Sequence, residues 1–90
     1  MQHRNWAKVD DLGRSLMKIQ NIQALGLLIQ KTRKAQKLTQ EQLAALSGVG
    51  VRFLRELEHG KESCHLGKTF EILKALGIDV FVKRRNEDSQ

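Results

Sequence analysis

Thr39-Gln40-Glu41-Gln42-Leu43-Ala44-Ala45-Leu46-Ser47-Gly48-Val49-Gly50-Val51-Arg52-Phe53-Leu54-Arg55-Glu56-Leu57-Glu58 is the stretch whose reading decides the fold. Thr39 and Gln42 form a capping-box pattern: a Thr N-cap and a Gln three residues on satisfy two backbone N–H groups that a helix start leaves unpaired. The spacing predicts a short helix over 40–46 with Leu43 and Ala44 inward. Ser47-Gly48 ends it, because glycine takes the positive φ of a tight helix stop. A second helix is predicted over 51–58, ended by His59-Gly60. Two short helices about a glycine turn have helix-turn-helix spacing. At about 100° per residue, Leu54 and Leu57 share the inward arc with Phe53 at its edge. Val51, Arg52, Arg55 and Glu56 share the outward arc.

Upstream, Asn21 can cap a helix over 22–36. Ile22, Leu25, Leu28, Ile29, Thr32 and Ala35 lie on one face, and most of the Lys, Arg and Gln lie outside it. Lys and Arg in its last turns suit the negative end of the helix dipole. Downstream, a loop over 61–65 leads to a helix over 66–76 with Leu66, Phe70, Leu73 and Leu76 as its core stripe, stopped by Gly77. Residues 78–83 are β-branched and aromatic and read as a strand. Before residue 21, Val9, Leu12, Leu16 and Ile19 recur at spacings of three and four. They support either a short helix over 10–18 or a tail that orders only on a partner. The chain thus divides into an N-terminal extension (1–20), a helix-turn-helix domain (21–77), a strand (78–84) and a polar tail (85–90) expected to be disordered.

Ninety residues hold at most one small domain, with a marginal core that a partner subunit would help. The formal charge of +6 suits a polyanionic partner such as nucleic acid or an anionic membrane. Cys64 is the single cysteine, so no disulfide can form within the chain, which fits a reducing compartment. Cys64 is expected to be a small buried or half-buried apolar residue rather than a redox sensor. No apolar run reaches the roughly 18 residues of a membrane span, and no secretory signal is evident. A cytoplasmic location is expected. His3, His59, His65 and Cys64 lack metal-site spacing, so neither a metal nor a cofactor is implied. Asp10-Asp11 reads as helix N-terminal charge, not as a general acid pair. No nucleophile, base or cofactor motif suggests an enzyme.

The second helix of a helix-turn-helix enters the major groove of DNA. Arginine bonds guanine O6 and N7 through two parallel N–H groups, which makes Arg52 and Arg55 the candidate base readers. Val51 offers methyl groups suited to a thymine methyl. The same face could instead bind protein, making the chain an interaction module.

The residues Leu38 to Ala44, Ser47-Gly48-Val49 and Leu54 to Lys61 resemble the Cro/cI-repressor (XRE) helix-turn-helix family over about residues 22–77. The resemblance implies a lambda-repressor-like, all-α domain of four to five short helices. It implies that Gln40 contacts the DNA backbone, that Lys61 contacts phosphate, and that Gly50, Val51, Arg52 and Arg55 face the bases. Gly50 stands where the family often has a small polar residue, which leaves only its backbone N–H to offer. It also implies a buried Arg33–Glu58 salt bridge.

A narrower set resembles HipB-type antitoxins: Leu25 to Lys34, Arg52 to Lys61 and Leu73 to Val80. That resemblance implies a C-terminal strand pairing with its two-fold mate, with Ile78, Val80, Phe81 and Val82 as the dimerisation residues. Such pairing also answers a physical problem, because an isolated strand leaves its ladder groups unpaired. The expected function is a homodimeric repressor and antitoxin on a palindromic operator, with a HipA-type serine/threonine kinase toxin as partner. A phage-type or stress repressor without a toxin is the alternative.

Overall fold

The computed structural model of the chain describes residues 7–9, 15–62 and 65–85. Four helices carry the domain: α1 (Ile22–Ala35), α2 (Gln40–Ser47), α3 (Val51–Glu58) and α4 (Leu66–Leu76). Side-chain caps start α1 and α2, and glycines stop α2 and α4. Asn21 caps α1 by accepting the Ala24 N–H at 2.8 Å. Thr39 and Gln42 make the reciprocal capping box of α2, at 3.0 and 2.8 Å. Gly48 (φ 75°) and Gly77 (φ 78°) end α2 and α4 in the left-handed region, where a Cβ would be strained.

The core lies where the four helices meet. Ile29, Leu43, Leu54, Leu57 and Ile72 are fully buried, with Ala44, Leu73 and Leu76 beside them. α2 packs on α4 and α3, and α1 packs on α3 and α4. Burying each such aliphatic side chain contributes about 1.5–3 kcal/mol. Two glutamine amides tie α1 to its neighbours' ends: Gln23 donates to the Gly60 carbonyl at 3.2 Å and Gln36 to the Leu76 carbonyl at 2.8 Å.

The line of closest approach on α1 runs through Gly26, Ile29 and Arg33. Ile22, Leu25, Leu28 and Thr32 flank it half-buried, whereas Ala35 is exposed. Gly26 sits against the end of α3 so closely that a Cβ there would stand 2.2 Å from the Leu57 carbonyl oxygen. Only glycine lets the two backbones meet at this distance.

Two expectations are corrected. Residues 10–18 do not form one helix: Ser15–Met17 is a strand, β2, paired antiparallel with β1 (Ala7–Val9) in the register Ala7↔Met17, Lys8↔Leu16, Val9↔Ser15. Gly13, a poor helix former, interrupts the apolar pattern that suggested a helix. The buried stripe of α4 is Thr69, Ile72, Leu73 and Leu76, while Leu66 and Phe70 are exposed at 65% and 41%. An apolar residue every third or fourth position marks a face, but not which neighbour covers it. In the single chain residues 78–84 carry no strand, and the pairing expected of them is with a second copy of the chain. The readings of His3, Asp10-Asp11, Cys64 and the tail beyond residue 85 lie outside the described residues.

Candidate nucleic-acid interface

The turn Gly48-Val49-Gly50 sets α3 across the end of α2. Gly48 donates back to the Ala44 and Ala45 carbonyls, and Val49 donates to the Ala44 carbonyl at 3.1 Å. Gly50 then caps α3 in an extended conformation with no side-chain hydrogen bond. α3 buries Leu54, Leu57 and Glu58 and turns Arg52 and Arg55 outward. The Arg52 side chain is 88% exposed and that of Arg55 48%. Val51 is only half-outward, being partly packed against the core. Phe53 is likewise half-buried, with the His65 ring edge-on at 5.9 Å and the Lys68 ammonium 5.5 Å from its ring centre. Lys61 follows Gly60, whose φ of 80° turns the chain beyond α3.

Beneath this face lies a buried ion pair. Arg33 donates through Nε to Glu58 Oε2 at 2.6 Å and through Nη2 to Oε1 at 3.0 Å, a bidentate fork. Its third donor, Nη1, reaches the Leu38 carbonyl at 2.8 Å. Glu58 raises the Arg33 pKa, chiefly through this hydrogen bond and against the opposing effect of burial. The pair joins α1 to α3 and fixes the roll of the outward helix.

Gln40 stands between the buried pair and the surface. Its Nε2 donates to Glu58 Oε1 at 3.0 Å, and its Oε1 accepts from Arg55 Nε at 3.3 Å. The amide at the start of α2 therefore links Glu58 to Arg55. Glu41 Oε2 also approaches Arg55 Nη2 at 3.8 Å.

A second knot lies on α3 itself. Glu56 Oε2 accepts from Lys61 Nζ at 3.3 Å and from Arg52 Nε at 3.4 Å. The Glu56 carboxyl is held below its ordinary pKa chiefly by the hydrogen bond from Lys61. Desolvation opposes this, and Arg52 adds to it. Glu56 is therefore ionised at neutral pH.

The geometry thus forms two groups, Arg52 and Lys61 on Glu56 and Arg55 with Gln40 and Glu41, while Gly50 and Val51 lie at the N-terminus of α3. Sequence reasoning passed over Glu41 and Glu56 as partners of these cations. The Arg52–Glu56 spacing of four was legible as a same-face pair. The Glu41–Arg55 and Gln40–Glu58 contacts cross between helices and needed the tertiary structure.

Two short helices about a left-handed glycine, with cationic side chains on the exposed face of the second, define a DNA-binding class of domain. The chain belongs to the Cro/cI (XRE) type of helix-turn-helix family, whose profile matches residues 29–82. It is a transcriptional regulator of that type. It is 41% identical over 56 residues to the uncharacterized HTH-type transcriptional regulator y4mF of Sinorhizobium fredii (strain NBRC 101917 / NGR234), a match covering 62% of this chain and 74% of that one. Among solved structures it resembles the restriction-modification controller protein C.AhdI from Aeromonas hydrophila, with TM-score 0.59 and 29% identity, over 64% of this chain and 84% of that one. It also shares the fold of a chain in the HipA-HipB-O2-O3 complex, with TM-score 0.70 and 21% identity, over 78% of this chain and 99% of that one. Among the described residues, no helix is long and apolar enough to cross a membrane, and no cluster of metal-ligating side chains occurs.

Proposed function

We propose that the chain is a sequence-specific DNA-binding repressor that acts as a homodimer on a palindromic operator. The observation that carries this is the outward pair Arg52 and Arg55 on α3, held over a buried ion pair that sets the helix orientation. Arg52 and Arg55 read base edges. Gln40 and Lys61 anchor the DNA backbone, the Gly50 N–H faces the bases, and Val51 contributes apolar contact at the edge. Phosphate contacts supply most of the affinity and base contacts the specificity. Arg55→Ala is expected to weaken operator binding by about 1–3 kcal/mol and to relax preference at one half-site position. Selection from a random duplex pool, repeated with the variant, measures this. An unchanged consensus and affinity would remove Arg55 as a base reader.

The dimer forms through residues 78–84. Val80, Phe81 and Val82 are 51%, 60% and 90% exposed, and Leu66 and Phe70 of α4 are exposed as well. That is much apolar surface for so small a domain. Pairing 78–84 with its two-fold mate completes a ladder and sets two copies of α3 about 34 Å apart, one turn of DNA. Replacing both Phe81 and Val82 with Asp is expected to shift the protein to monomer in sedimentation and to lower operator affinity at least tenfold. A dimer of unchanged stability would place the two-fold axis elsewhere.

The likeness of residues 25–34, 52–61 and 73–80 to HipB-type antitoxins supports a finer reading. In it, the dimer represses its own operon and neutralises a HipA-type serine/threonine kinase toxin. The shared fold with a chain of the HipA-HipB-O2-O3 complex agrees with this. A repressor without a toxin partner is the second reading, and the likeness to a restriction-modification controller protein shows that the fold also serves regulators of another kind. Affinity purification from the native host separates the two: a co-purifying kinase supports the antitoxin, and operator DNA alone supports the simpler repressor.

A further inference from the structure

The face proposed to read DNA is not simply cationic. The proposed contact residues Arg52, on α3, and Lys61, beyond its end, both meet the Glu56 carboxylate of α3, at 3.4 and 3.3 Å. Resting on the DNA-binding reading, we infer that Glu56 is a specificity-determining residue. Its carboxylate occupies Arg52 and Lys61 in the free protein and suppresses binding to DNA of arbitrary sequence.

Binding to arbitrary DNA is built from phosphate contacts alone. A phosphate contact through Arg52 Nε or Lys61 Nζ competes with Glu56, and any phosphate held by either cation lies within a Debye length, about 8–10 Å, of that carboxylate. The penalty therefore falls on the whole of the non-specific affinity. At a matching site the exchange differs. Arg52 trades the carboxylate for a guanine edge that accepts two parallel N–H groups, a contact that arbitrary sequence does not offer in register. Part of the penalty is returned there, so the specific complex loses less.

Glu41 is the weaker candidate for this role. It approaches one cation, Arg55, at 3.8 Å, and its side chain is 72% exposed against 36% for Glu56. Glu56 serves two cations, at 3.4 and 3.3 Å. Each exposed pair is individually weak, so the combined effect is modest: about threefold to tenfold in affinity.

The test compares four full-length proteins: the parent, Glu56→Gln, Glu56→Asp and Glu71→Gln. Glu71 lies on α4, pairs with Lys74 at 3.6 Å, and supplies the same change of net charge away from α3. Each protein is titrated by fluorescence anisotropy against poly(dI-dC) and against the duplex that the parent selects from a random pool, at 50 and 200 mM salt. Glu56→Gln is expected to bind poly(dI-dC) about threefold to tenfold more tightly at low salt, with less gain on the selected duplex. Its specificity ratio then falls. Glu56→Asp keeps the charge and stays near the parent, and Glu71→Gln leaves the ratio unchanged. Equal gains from Glu56→Gln and Glu71→Gln would reduce the effect to net charge and overturn the inference. So would an unchanged poly(dI-dC) affinity for Glu56→Gln. A parent that binds neither duplex at low salt would overturn the DNA-binding reading itself and this inference with it.

Discussion

Arg33→Met is expected to lower the unfolding free energy by about 3–5 kcal/mol, because it strands the Glu58 carboxylate in the core with one partner removed. The Glu58 side chain is 0% exposed and that of Arg33 9%. A chain of this length has a total stability of about 5–13 kcal/mol, so the loss brings it near the threshold of folding. Urea unfolding followed by circular dichroism measures the effect, and a loss under about 1 kcal/mol would show that water reaches Glu58 in the native state. The double variant Arg33→Met, Glu58→Leu separates two costs. Apolar residues of similar volume often replace a buried pair at little cost, so the double variant is expected to recover most of the stability. It should not recover DNA binding. Gln40 then loses the acceptor that holds its amide at 3.0 Å, and Arg55 loses the anchored oxygen it meets at 3.3 Å. Restored stability with weak operator binding is the expected signature of a pair that orients the reading helix.

Gly26→Val is expected to cost about 3 kcal/mol, as overpacking between two backbones. A Cβ at Gly26 would stand 2.2 Å from the Leu57 carbonyl oxygen and 3.0 Å from that of Glu58. Neither atom is the end of a flexible side chain. α1 and α3 must part, and that disturbs Ile29, Leu57 and the Arg33–Glu58 fork together. The helix-propensity gain on losing a glycine, under about 1 kcal/mol, does not offset this. Gly67 is the control. It also lies in a helix, yet nothing stands within 4 Å of a Cβ there. Gly67→Ala is expected to be neutral or to stabilise by up to about 1 kcal/mol. Thermal melts of both variants give the comparison. If Gly26→Val melted with the parent, the close approach of α1 to α3 would be wrong.

These two positions show how unevenly the chain could be read. The helix boundaries were legible because their signals are local. Asn21, the Thr39–Gln42 box, Gly48 and Gly77 each act within a few residues of where they stand. Arg52 and Arg55 were legible as outward residues because α3 buries Leu54 and Leu57 on a strict period. Gly26 carried no such signal. Within a helix it reads as a weak point, and its purpose depends on a backbone more than thirty residues away. α4 misled for a related reason. Leu66 and Phe70 have core chemistry yet lie exposed, and on the proposed reading their cover belongs to a second subunit. The 78–84 segment is the same case, with strand composition that on this reading is used between two chains.

The sequence alone determined the helix-turn-helix and the order of its four helices, because caps, stops and apolar period act over single turns. Tertiary structure decided what the exposed face of α3 is. It brought Glu58 under Gln40, set Gln40 beside Arg55, and curled Lys61 back onto Glu56 beside Arg52. Those contacts join residues on different helices, or across the turn after α3. Their distances follow from how the elements pack, which no local pattern of residues encodes.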